Sequence, residues 1–111
     1  MAETFINNNI ATLSTTDVDL IVGPAGNAAD VSIVLSVMVT SANGSAAAVS
    51  LQLVDSSDGL LCNVANNISV PAGSALELVA NKLVVKHGQK LRINAPSGSL
   101  AVLASGLEIT V

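Results

Sequence analysis

The chain has 111 residues, half of them hydrophobic and only 11% charged, with a formal net charge of −4. That is enough chain for one domain with a self-sufficient core, and too little charge for an ordinary fully solvated surface, so an oligomer or assembly component is expected. A negative balance and a single aromatic residue, Phe5, argue against nucleic-acid binding, which draws on cationic grooves and stacking platforms.

In chain order, residues 1–9 are polar apart from Phe5 and Ile6 and read first as a frayed N-terminal arm; the alternative is that Phe5 and Ile6 anchor that arm on a partner. Residues 10–111 read as one sandwich domain. A short strand is expected over 10–15, and a firmer one where Val18, Leu20 and Val22 alternate with Asp17, Asp19 and Ile21, the two carboxylates then pointing outward together. Two such carboxylates resemble half a calcium site, but no further ligands follow at loop spacing. After Gly23-Pro-Ala-Gly, residues 30–40 form the clearest strand, expected to be central, with Val31, Ile33, Leu35, Val37 and Val39 on one face. Val34 and Met38 make the other face half apolar, which suggests a covering loop or subunit.

Ser41-Ala-Asn-Gly-Ser is expected to turn this strand into a long hairpin with 49–54. Asp55-Ser-Ser-Asp-Gly is a second turn, its aspartates capping the loop. The Asn-rich run within 60–70 could loop out. Cys62 has no partner for a disulfide or zinc cluster and reads as a small buried side chain. Asn43-Gly-Ser and Asn67-Ile-Ser match glycosylation acceptors but read more simply as turn and strand residues. Turns follow at Pro71-Ala-Gly and Pro96-Ser-Gly-Ser, a bulge is expected at Ser105-Gly106, and the last strand ends at Val111. The start, MAETF, lacks a basic-then-apolar leader, and no window approaches eighteen apolar residues, so neither export nor membrane insertion is expected.

The basic residues are segregated. Lys82, Lys86, Lys90, Arg92 and the single His87 lie within 82–92, whereas the residues before Lys82 carry seven carboxylates and no cation. Alternation of Leu83 and Val85, then of Leu91, Ile93 and Ala95, reads as a hairpin turned by Lys86-His-Gly with Gly88 left-handed. Its register would pair Leu83 with Leu91 inside and Lys82 with Arg92 outside. Like charges in that position call for an offsetting acidic neighbour, Glu77, Glu108 or another protein.

Seven to nine strands and no substantial helix make the chain all-β, an antiparallel β-sandwich with jelly-roll or Greek-key connections; an immunoglobulin-like topology is a weaker alternative without its Cys and Trp marks. One turn histidine and no positioned nucleophile, base or metal cluster speak against an enzyme, and no cofactor is expected. A carbohydrate module would share the sandwich but generally stacks sugars on Trp or Tyr, which are absent.

Ser69-Val-Pro-Ala-Gly-Ser-Ala-Leu-Glu-Leu, Lys82-Leu-Val-Val-Lys-His-Gly-Gln-Lys-Leu-Arg, Gly98-Ser-Leu-Ala-Val and the closing Ser105-Gly-Leu-Glu-Ile-Thr resemble small virion proteins of tailed bacteriophages, including cyanophages. The first half fits too, through Val22-Gly-Pro-Ala-Gly and Val31-Ser-Ile-Val-Leu-Ser-Val-Met-Val. Where such proteins often carry acidic residue, Gly, Asp, this chain has Lys86-His-Gly-Gln-Lys, which reverses the local charge. The resemblance implies a capsid decoration or cement protein: made in the host cytoplasm, bound outside the phage head to the major capsid protein, and forming homo-oligomers, often trimers. Its alternatives are a minor neck, tail or fibre-associated protein, or a host-surface glycan-binding module. The expected partner contacts are Lys82, Lys86, His87, Lys90 and Arg92, with Phe5 and Ile6.

Overall fold

Runs of Val, Ile and Leu at period two, broken by Gly, Pro, Asn and Asp, produce nine strands in the computed structural model, which describes residues 2–41, 45–79, 81–97 and 99–111. They are β1 (Ala2–Leu13), β2 (Val18–Val22), β3 (Val31–Thr40), β4 (Ala47–Asp55), β5 (Leu60–Val70), β6 (Ala75–Glu77), β7 (Leu83–Lys86), β8 (Gln89–Ser97) and β9 (Leu100–Thr110). No helix occurs among the described residues.

The strands form two antiparallel sheets. Sheet A runs β1-β9-β3, with β6 and β7 sharing the far edge of β3; sheet B runs β2-β8-β4-β5. The pairs nest: β1 with β9, β2 with β8, β3 with β6 and β7, β4 with β5. One long antiparallel ribbon is therefore doubled at the β4–β5 turn and rolled until β9 also meets β3 and β8 also meets β4. This is the jelly-roll connection, and it decides among the topologies open to the sequence.

Between the sheets lies a predominantly aliphatic core. Leu13, Val34, Val37, Val39, Val49, Leu51, Val70, Val85, Leu91, Ile93 and Leu100 are fully buried. Small β-branched side chains suit this spacing because they fill the gap between pleated faces with few rotamers to lose.

Several expectations change. The pair 82–86 and 89–93 is not a hairpin: β7 pairs only with β3 in sheet A, β8 belongs to sheet B, and the turn at His87 and Gly88 crosses between sheets. Gly88 has the expected left-handed backbone, φ +79°. Likewise β3 and β4 lie in different sheets, and residues 42–44 of their expected turn lie outside the described residues. Alternation alone cannot separate a hairpin from such a crossing, because both bury the same alternate residues.

The inward face of β3 changes phase. Ser32 and Val34 point inward, an extra residue at Leu35 interrupts pairing with β9, and Val37 and Val39 take over, leaving Val31, Ile33 and Leu35 outside. The bulge expected at Ser105-Gly106 thus carries its additional residue on the opposite strand. Gly106 is what permits it, since a Cβ there would stand 2.6 Å from the Ile33 carbonyl oxygen.

Residues 2–9 are not a frayed arm but most of β1, paired with β9 from Ala2↔Thr110 onward. Residues 60–70 do not loop out; β5 runs through them with register shifts against β4 and a left-handed Asn67, φ 53°. Cys62 is exposed, not buried. Pro96 and Ser97 still belong to β8, and Gly98 of that turn lies outside the described residues. The true hairpin is β4–β5, whose turn Asp55 caps by accepting the Ser57 and Gly59 N–H groups at 2.8 Å each; Asp58, expected to cap it too, turns its carboxylate to Lys90 and Arg92 instead.

Candidate functional site

The outer face of sheet B carries a closed charge cluster. Period two on β8 buries Leu91, Ile93 and Ala95 and turns Lys90, Arg92 and Asn94 outward. Edge strand β2 sets Asp19 opposite Arg92, and the β4–β5 turn carries Asp58, φ 65°, over the same strand. Asp58 Oδ1 accepts from Lys90 Nζ and from Arg92 Nη2, each at 2.6 Å. Asp19 lies 3.4 Å from Lys90, Asp17 lies 3.6 Å from Arg92, and Asp17 also accepts from the Asn94 amide. The two cationic side chains are only 18% and 16% exposed. The acidic neighbour demanded by the sequence is therefore the aspartates at 17, 19 and 58, not Glu77 or Glu108.

The hydrogen bond from Lys90 holds the Asp58 carboxyl below the usual carboxylate range, assisted by the charges of Lys90 and Arg92, and the same bond raises Lys90. Hydrogen bonds from the Val111 and Asn27 N–H groups, 2.8 and 3.0 Å, lower buried Asp30. Partial burial pushes Glu77 up, but donors from Ser36, Val37 and Val79 together outweigh it and lower the group.

A carboxyl depressed by folding contributes stability above its unfolded pKa, about 4, and loses it as pH falls through the folded value. A raised lysine contributes below about pH 10.4 and loses it above. Denaturant midpoints measured against pH should therefore plateau at neutrality and fall on both sides. Asp58→Asn should flatten both limbs, while Asp30 and Glu77 preserve a residual acid loss; an alkaline limb identical to wild type would show that the Lys90 pair contributes nothing.

The residues expected at a contact do not form one patch. Lys82 and Lys86 are exposed at the start and end of the β7 edge of sheet A, and Lys90 and Arg92 are engaged on sheet B. His87, at the crossing turn, has Nδ1 2.8 Å from the Pro24 carbonyl oxygen. Ile6 packs against the margin of the core, whereas Phe5 is 81% exposed. Among the described residues no group of three His, Cys, Asp or Glu is placed to hold a metal ion.

Sequence reasoning anticipated the outer face of sheet A only at Met38; Val34, expected beside it, is buried instead. Cross-strand rows there read Phe5, Leu107, Ile33, Val84 and then Asn9, Leu103, Met38, Glu77. Leu35, Met38, Val84 and Leu103 are each 40–50% exposed. A shallow depression of about 380 Å³ lies beside Phe5, lined also by Asn7, Leu35 and Ser105. The signal in the sequence was the apolar second face at Met38, Val84 and Leu103; the phase change at Leu35 concealed its extent.

Compared with protein-family models, curated proteins and solved structures, the chain matches none.

Proposed function

We propose that this protein is a non-enzymatic virion subunit, a decoration protein that binds the outside of a phage head and stabilises its shell. The observation that carries this reading is the apolar outer face of sheet A, spread across β1, β9, β3 and β7. An apolar face of this breadth is a surface for protein contact. The cluster on sheet B neutralises its own cations, so attachment through Lys90 and Arg92 would first have to break bonds to Asp58. Contact with the major capsid protein accordingly falls to sheet A, with Lys82 and Lys86 at its rim. The jelly roll is a fold that viral shells use among others, and it supports the reading without deciding it.

Quantitative mass spectrometry of purified virions should find this protein near stoichiometric with the major capsid protein. A small fixed copy number would move it to the neck or tail, and absence would end the virion reading. Leu103→Asp should weaken attachment to stripped heads by roughly thirtyfold, the effect of losing one anchoring side chain, without altering the fold.

A further inference from the structure

We infer that a second copy of this chain pairs its β1 with the free edge of β7, so that sheet A continues from subunit to subunit. This deepens the assembly reading, on which it rests, by naming the sister subunit as the partner of the sheet's two edges.

Among the described residues both edges of sheet A carry a strand with one side unpaired: β1 pairs with β9 alone, and β7, which shares the far edge with β6, pairs with β3 alone. The three antiparallel pairings between them make β1 antiparallel to β7. They also lie in the same cross-strand rows. Glu3 shares a row with Ile109, Val31 and Lys86, and Phe5 shares one with Leu107, Ile33 and Val84.

A neighbour's β1 laid beside β7 in that row alignment is antiparallel, as a ladder requires. It sets Glu3 of one copy opposite Lys86 of the next and the exposed Phe5 opposite the exposed Val84, both on the outer face. On the inner side Ile6 meets Leu83. Further along, Asn7 meets Lys82.

Charge makes the choice directional. Glu3 is the only charged residue on β1, and the β7 edge has Lys82 at its approach and Lys86 at its end. Two β7 edges brought together antiparallel face lysine with lysine, which disfavours that pairing, while β1 against β7 matches opposite charges. The resulting contact is head-to-tail, so it builds rings or filaments instead of closed two-fold dimers. It also joins the apolar faces of successive sheets A into one larger surface.

The test uses the isolated full chain, without virions, by sedimentation velocity and native mass spectrometry at high micromolar concentration. Wild type should self-associate. Glu3→Lys and Lys86→Glu, both at exposed positions, should each weaken association by about tenfold, and the double variant should recover it. Circular dichroism confirms that each variant is folded. A monomeric wild type, association indifferent to both charges, or a double variant no better than the singles would overturn the inference. Because the readout needs no capsid, a monomer still abundant in virions would sink this contact and leave the decoration reading standing.

Discussion

Gly23→Ala should cost about 3 kcal/mol and lower the melting temperature by roughly 10 °C or more, a large effect for one methyl group. Gly23 is buried just past β2, where its N–H donates to the Gln89 carbonyl at 2.8 Å. A Cβ there would overlap the Lys86 carbonyl oxygen and stand 2.8 Å from its carbon and 2.9 Å from the Gln89 oxygen. All three atoms are backbone, so no side chain can swing aside, and relief requires moving the turn that carries the chain from sheet A to sheet B. That movement would also pull His87 from Pro24. Gly88→Ala is the informative comparison. Its φ of +79° imposes strain, but nothing lies within 4 Å of the added carbon, so a loss of about 1 kcal/mol is expected. Thermal melts that rank the two variants equally would mean that the close approach at Gly23 does not exist.

Ile93→Ala should destabilise by about 4 kcal/mol and Ile93→Val by about 1 kcal/mol, with the dependence on denaturant concentration unchanged. Ile93 is fully buried on β8, between Val18 of β2 and Leu51 of β4. Its neighbours in the core are aliphatic, many of them β-branched and therefore restricted in χ1. They collapse poorly into a vacated space, which places the truncation in the upper part of the usual range for buried Ile or Leu. Urea titrations of both variants measure the difference directly. A loss below about 1 kcal/mol for Ile93→Ala would indicate a core far looser than the interdigitated sheets imply.

The candidate surfaces were only partly legible in advance. Segregation of the cations was visible, and so was their need for an acidic neighbour, but the identity of that neighbour depended on where β2 and the β4–β5 turn come to rest. Asp17 and Asp19 were correctly expected to point outward together; that they point toward Arg92 and Lys90 follows from β2 pairing with β8, seventy residues away in the chain. Phe5 was noticed as a lone aromatic near the N-terminus. Its place in a row with Leu107, Ile33 and Val84 requires three strand pairings, none of which leaves a local mark.

The sequence by itself determined that the protein is all-β, which residues of β8 enter the core, that Gly88 takes a left-handed turn and that Asp55 caps the β4–β5 loop. These are local properties: side-chain alternation, backbone freedom and the reach of one carboxylate are set within a few residues. Tertiary structure decided which strands are neighbours, how Leu35 shifts the phase of β3, and that one sheet presents a self-neutralised charge cluster while the other presents an apolar face. Alternation specifies which side of a strand is buried and is silent about which edge it pairs with. A β7–β8 hairpin and a crossing between sheets bury the same leucines and valines. The choice rests on the whole ribbon, which can bury both apolar faces at once only by rolling.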